Sequence, residues 1–340
     1  MKVMKLPKSN REEFILTLEE FGEVHIPKAK GKESFIFDRM QAPEEIAWDY
    51  LRTIAPPKKY LTPPRESLLQ YNASNGYQEV EAEYDDRIIL FGLHPCDIQS
   101  IQILDQVFNG EYNDTYYFKR RKDLKIIGLS CIPDEKCFCR SMGTDFVESG
   151  YDLFLSELHD SYLVAIGTGL GDEIVKKTSD LLRTASDSDR QEYLEIRNRR
   201  REQFDVELDT SDLPYILDLE KESDVWDDIG AQCLVCGSCS MVCPTCYCFN
   251  IYDQQDLDGE SGERLREWDS CLFKNYTRVA GGETFRDTRA DRVKNRYLHK
   301  QRHFVEQYGR PSCVGCGRCI DACPAGINVV EVFQRLRGVA

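Results

Sequence analysis

The chain has 340 residues, 41% of them hydrophobic and 30% charged, with a formal net charge of −15. At roughly 150 residues per domain this length accommodates two domains or three, and the composition is too apolar for a disordered chain. No stretch approaches the ~18 apolar residues of a membrane span, the charged N-terminal segment lacks a signal-peptide core, and the acidic balance opposes nucleic-acid affinity. A cytoplasmic protein with no membrane span and no nucleic-acid partner is therefore expected.

In chain order, Asn10 is placed to cap a first helix, whose apolar stripe is Phe14, Ile15, Leu18 and Phe21 and which Gly22 ends. Short strands are expected at Glu23–Ile26 and Ser34–Phe37, followed by an irregular extended segment around Pro56, Pro57, Pro63 and Pro64. A βαβ unit comes next: strand Arg87–Phe91, helix Asp97–Phe108 with Ile98, Ile101, Leu104 and Phe108 on one face, and strand Leu124–Leu129. The crossover makes the strands parallel neighbours and puts Cys96 and Cys131 just past strand ends, the edge where open α/β sheets hold their sites. Asp152–Leu155 and Tyr162–Ile166 read as a hairpin joined through Glu157–Asp160. Gly167-Thr-Gly169-Leu-Gly171 departs from the dinucleotide fingerprint and reads as a strand-to-helix turn.

Ser186 to Glu222 is polar and helical, and the cysteine-rich part starts near Val225. The expected class is α+β. A mixed α/β domain spans 1–185, a helical connector 186–224, and an α-helical ferredoxin-like domain with two 4Fe–4S clusters 225–340.

Fifteen cysteines carry the chemistry. An odd number in a chain without an export signal argues against a disulfide framework and for metal binding. Cys233-x2-Cys236-x2-Cys239-x3-Cys243-Pro244 and Cys313-x2-Cys316-x2-Cys319-x3-Cys323-Pro324 are the same run twice, the pattern of 4Fe–4S ferredoxins. Three thiolates of each run reach one cubane and the fourth serves the other. Cluster one is thus expected on Cys233, Cys236, Cys239 and Cys323, and cluster two on Cys313, Cys316, Cys319 and Cys243. A zinc site would use paired C-x2-C instead. The long charged interval between the runs reads as helical, with both clusters held between helices.

Cys96, Cys131, Cys137 and Cys139 form a candidate third 4Fe–4S site, since an extended Cys137-Phe138-Cys139 points both thiols to one face. Buried free thiols and zinc are the alternatives. Cys246, Cys248 and Cys271 form a last group without an evident fourth ligand: either a centre with a non-cysteine ligand or packing residues. His94, beside Cys96, reads as part of a structural turn. The Lys/Arg-rich stretch from Lys274 to Arg310 reads as a docking face or a solvated helix surface. No Ser/His/Asp set, P-loop or zincin motif is present.

Longer motifs carry a resemblance. They are Phe91-Gly-Leu-His-Pro-Cys-Asp-Ile98, Ser130-Cys-Ile-Pro-Asp-Glu-Lys-Cys-Phe-Cys139, Cys243-Pro-Thr-Cys-Tyr-Cys248, Trp268-Asp-Ser-Cys271, Val279-Ala-Gly-Gly-Glu-Thr-Phe-Arg286 and Arg296-Tyr-Leu-His299. With the second cysteine run, and with Leu6-Pro7-Lys8 and Pro56-Pro57-Lys58, they cover nearly the whole chain. On them it resembles the iron–sulfur beta subunits of cytoplasmic sulfhydrogenases, the NAD(P)-linked nickel–iron hydrogenases. It is also similar to the corresponding iron–sulfur subunits of anaerobic sulfite reductase and of flavin oxidoreductases coupled to heterodisulfide reductase. Asp145-Phe-Val-Glu-Ser-Gly-Tyr-Asp-Leu-Phe154 is closer to the sulfhydrogenase branch, and Ser141-Met-Gly-Thr144 to the sulfite reductase branch.

The resemblance implies a non-catalytic subunit that relays single electrons between a flavin-binding partner that uses NAD(P)H and a distal catalytic subunit, with no flavin on this chain. Two readings compete with it. One is a self-contained reductase of sulfur compounds acting at the Cys96/Cys131/Cys137/Cys139 site. The other is a zinc or nucleic-acid module built on the basic stretch, which the acidic total and the cubane spacing oppose.

Overall fold

The computed structural model describes residues 3–80 and 87–339. Among them the strands are β1 Val3–Pro7, β2 Glu23–Ala29, β3 Phe35–Arg39, β4 Arg65–Asn72, β5 Gly76–Glu79, β6 Ile88–Leu93, β7 Leu124–Leu129, β8 Leu153–Glu157, β9 Ser161–Ile166, β10 Arg183–Thr184, β11 Phe249–Gln255 and β12 Ser261–Trp268. The chain divides into two compact units. Met1–Pro57, Tyr84–Glu207 and Val314–Cys316 form one, and Lys58–Glu83, Leu208–Cys313 and Gly317–Ala340 the other.

The first unit is built on one eight-stranded sheet in the order β10-β1-β9-β8-β7-β6-β2-β3. Its centre, β2-β6-β7-β8, is parallel; β3 at one edge and β9-β1-β10 at the other are antiparallel. Every residue of β6 is buried, as strands covered on both faces require. The expected βαβ unit is present: Ile88 pairs with Leu124, and the crossover runs through helix Pro95–Phe108 and a second helix, Thr115–Asp123. The hairpin of β8 and β9 and the strand-to-helix turn are also found, Thr168 capping helix Gly169–Lys177. Asn10 does precede helix Arg11–Thr17, but its side chain donates to Leu181 O at 3.0 Å and makes no cap hydrogen bond. Leu6, Phe14, Ile26, Phe91, Ile127, Leu155 and Val164 make up the heart of the core.

The second unit carries a four-stranded antiparallel sheet, β11-β12-β4-β5, beside its helices. The expectation that the interval between the cysteine runs is helical holds for its later part, from Arg289 to Tyr308, and is corrected in its earlier part, where β11 and β12 form a hairpin. β11 is exposed along nearly its whole length: the alternation of Phe249 and Ile251 stops at its polar second half, and both residues stand on the surface. The signal in the sequence was Asp258-Gly259, a hairpin-turn dipeptide between the two strands. The helical part packs Trp226 on Tyr297 and Tyr297 on Phe333, joining helices Val225–Gln232, Arg289–Leu298 and Val329–Leu336.

The units do not follow the boundaries expected at 185 and 225. Helix Asp187–Glu202, expected in a connector, belongs to the first unit, where Lys5 pairs with Asp189 at 2.8 Å. Strands β4 and β5 belong to the second, because β4 pairs with β12.

Candidate metal centre

The two cysteine runs share a backbone conformation. In each, a glycine in the left-handed region, Gly237 (φ 76°) or Gly317 (φ 74°), precedes a one-turn helix, Ser238–Met241 or Arg318–Asp321. Earlier in each run Val235 (φ 48°) and Gly315 (φ 63°) occupy the same place and the same region. A Cβ on Gly315 would stand 2.5 Å from the Phe138 carbonyl carbon, so this position needs glycine for space as well as conformation. Val235 adopts the strained conformation in its run and turns its N–H toward Cys233 Sγ at 3.4 Å. Ile327 N likewise donates to Cys323 Sγ at 3.3 Å. N–H donors on sulfur are the usual support of iron–sulfur thiolates.

One cavity of the second unit is lined by Cys233, Cys236, Cys239 and Cys323, the four residues expected to hold cluster one, together with Cys319 and Arg296. Cys243 and Cys313 both act on the Lys300 ammonium, and Cys243 and Cys239 both act on Cys319. No three His, Cys, Asp or Glu side chains among the described residues stand at single-ion spacing. Ligands that bind separate irons of a cubane are spread more widely than that.

Buried cations face these thiols. Burial works against the Arg296 charge, but Cys239 and Cys319 outweigh it and raise its pKa; Arg296 Nε is buried with no hydrogen-bond partner among the described residues. Burial likewise opposes the Lys300 charge, and Cys243 and Cys246 reverse the effect. Lys300 Nζ donates to Thr245 Oγ1 at 2.9 Å. Uncompensated buried cations are costly, so this environment fits an anionic group held by thiolates. It also qualifies the reading of the basic stretch: Arg292, Arg296 and Lys300 are buried, while Lys274, Arg278 and Arg289 are exposed.

In the first unit, Cys131 follows β7 and Cys96 lies in the first turn of helix Pro95–Phe108, both buried or half-buried. Cys137 and Cys139 sit in a turn, not a strand, with Cys137 N on Asp134 O at 3.1 Å and Phe138 N on Gly315 O at 2.9 Å. Burial raises the Cys139 pKa, and Cys131 and Cys137 raise it further, so these three thiols share one environment. Burial also pushes Cys137 up to about 12. Arg52 Nη2 lies 3.4 Å from Cys137 Sγ and 2.6 Å from Asp134 Oδ1, while Arg52 Nε is buried with no hydrogen-bond partner among the described residues. Arg200 approaches Cys131 in the same way, and donates to Asp145 O at 2.9 Å. Two guanidiniums and an orphaned donor again fit a thiolate-bound anionic group. Sequence reasoning missed Arg52 and Arg200, which no spacing links to the cysteines. His94 contacts carbonyls with both ring nitrogens, Leu129 O at 3.1 Å and Tyr50 O at 3.0 Å, and is structural.

Of the last three cysteines, Cys248 and Cys271 are brought together, while Cys246 meets Cys243. Cys271 hydrogen-bonds Cys248, favouring the Cys248 thiolate, and Cys246 does the same for Cys243. Lys58, expected only within an irregular proline segment, is buried among them, with Nζ donating to Cys246 O at 2.7 Å.

Comparison with known proteins agrees with this geometry. The family described as a 4Fe-4S dicluster domain matches residues 232–327. Over 337 residues, 99% of each chain, the sequence is 39% identical to the sulfhydrogenase 2 subunit beta of Pyrococcus furiosus.

Proposed function

The chain belongs to the family of sulfhydrogenase beta subunits, and from that membership we propose that it relays single electrons between a flavin-binding partner that uses NAD(P)H and a distal catalytic subunit. Cys233, Cys236, Cys239 and Cys323 hold one 4Fe–4S cluster, and Cys313, Cys316, Cys319 and Cys243 the second. Cys96, Cys131, Cys137 and Cys139 hold a third. The flavin resides on the partner. The observation that supports this reading most directly is the cavity that collects all four expected ligands of the first cluster.

When bound, such clusters take up and release single electrons. The chain's own residues hold the thiolates, keep water from them and set the local charge. Tyr297, Val293 and Leu272 wall the cavity with apolar surface. Arg296 and Lys300 supply buried positive charge, which favours the more negative, reduced state of whatever the thiolates bind. The described residues contain no helix long and apolar enough to cross a membrane.

The test is Cys316→Ser in the assembled complex. Electron flow from NAD(P)H to the distal catalytic subunit should be lost. Stopped-flow bleaching of the partner's flavin by NAD(P)H should persist, because that hydride step precedes the clusters. Loss of flavin bleaching in an assembled complex would mean that this chain takes part in hydride chemistry, against the relay reading.

A further inference from the structure

We propose that Cys246, Cys248 and Cys271 are thiolate ligands of an additional iron–sulfur centre in the second unit, separate from those assigned to the two runs; the inference rests on reading the runs as cluster ligands. The repeat itself identifies what is surplus. Both runs pass through Cys-Pro into the same turn, Cys246 N donating to Cys243 O at 3.4 Å and Gly326 N to Cys323 O at 3.1 Å. Cys246 therefore stands where the second run has Gly326, and Cys248 where it has Asn328. The dicluster pattern needs neither thiol.

The fold nevertheless brings two of the surplus thiols, Cys248 and Cys271, into contact, and sets Cys246 against Cys243. Cys248 leads into β11 and Cys271 follows β12. The hairpin pairs Phe249 with Trp268, and Asp269 N donates to Cys248 O at 2.9 Å, which closes the base of the hairpin and carries Cys271 into hydrogen bonding with Cys248. The Tyr276 hydroxyl also hydrogen-bonds Cys248. Trp268 covers Lys58, whose Nζ lies 4.2 Å from the ring centroid.

Charge points the same way. Burial is the largest influence on Lys58 and disfavours its charge, Lys300 adds to that, and Cys246, Cys243 and Cys248 act in the opposite direction without reversing it. Two buried cations that repel each other need anionic compensation, and thiolates bound to an iron–sulfur core provide it. Zinc would require its ligands around one point, and no such group of three exists among the described residues. A multi-iron centre takes one thiolate per iron, so it accepts the wider spacing, with one iron left to a non-cysteine ligand.

The experiment counts iron and acid-labile sulfide in the anaerobically prepared full chain, with spin quantitation of the reduced protein, for the unaltered chain, Cys271→Ser and Cys137→Ser. Cys271→Ser should lose about four irons and one spin system while keeping both dicluster signals and the signal that Cys137→Ser removes. Unchanged iron in Cys271→Ser overturns the proposal. So does loss of zinc in place of iron, or recovery of residues 248 and 271 as a disulfide with full iron. Collapse of every signal would make Cys271 a structural residue and also overturn it. If Cys271→Ser does not fold, native mass spectrometry of the unaltered chain decides: one cluster beyond the dicluster and the Cys137 site is expected, and none overturns the proposal. Failure of the underlying reading is distinct, because the unaltered chain would then lack both dicluster signals.

Discussion

Arg200 lies on helix Asp187–Glu202 and holds its Nη2 3.4 Å from Cys131 Sγ, with Nε on the carbonyl of the same residue. A helix that reads from its composition as a polar connector thus delivers a guanidinium to the C-terminal edge of a parallel sheet. Burial opposes that charge, and Cys131, together with Cys139 and Asp145, more than offsets it. Arg52 stands against Cys137 in the same relation.

On the proposed assignment of a cluster to Cys96, Cys131, Cys137 and Cys139, removing one of these guanidiniums should lower the reduction potential of that site. Arg200→Met, or Arg52→Met, is expected to shift one midpoint negatively by tens of millivolts, because reduction adds negative charge that the cation stabilises. Spectroscopic redox titration checks this. The two dicluster midpoints should stay in place, and an equal shift of all midpoints would contradict a local effect.

The matched positions in the two cysteine runs should respond oppositely to exchange. Val235→Gly relieves a left-handed conformation that costs an L-residue roughly 1–2 kcal/mol, so the chain should be as stable as before or more so. Gly315→Val adds both that strain and a clash, a Cβ 2.5 Å from the Phe138 carbonyl carbon, and should destabilise by about 2–4 kcal/mol. Anaerobic urea unfolding of the two variants measures the contrast.

Glu66 and Arg266 are opposite residues of β4 and β12 and form a buried ion pair, with Nη2 2.7 Å from Oε1. Glu66→Ala should cost about 3–5 kcal/mol by removing the carboxylate that faces the buried guanidinium. Replacing both residues with methionine should recover most of that loss. A double-mutant cycle on urea midpoints tests it: near-additive losses would mean the two charges are not coupled.

Chelating the iron should loosen the cysteine runs and the helix that faces them in the second unit more than the sheet core of the first. Arg296 and Lys300 would lose the anionic group that compensates them, and the cysteine runs have little backbone hydrogen bonding beyond their one-turn helices. Amide hydrogen exchange should accelerate across 233–248 and 289–303 while Ile89, Ile127 and Val164, in the first-unit core, stay protected. Equal acceleration in both units would show that the metal stabilises the whole chain.

Local rules in the sequence determined the repeated cysteine spacing, the parallel pairing of β6 with β7, and the positions of Cys96 and Cys131 past their strand ends. Those features depend on covalent spacing, on continuous burial and on the handedness of one crossover. The tertiary structure alone decided that β4 and β5 join a hairpin nearly two hundred positions later, that helix Asp187–Glu202 belongs with the first sheet, and that Cys248 meets Cys271. It also decided that Arg52, Lys58, Arg200, Arg296 and Lys300 are turned toward thiols. In the sequence these cations are indistinguishable from solvated ones, since the burial of a charge depends on partners supplied from distant parts of the chain. Strand β11 is concealed for the same reason: only Phe249 and Ile251 alternate in it, its second half is polar, and it becomes a strand through the partner that pairs with it.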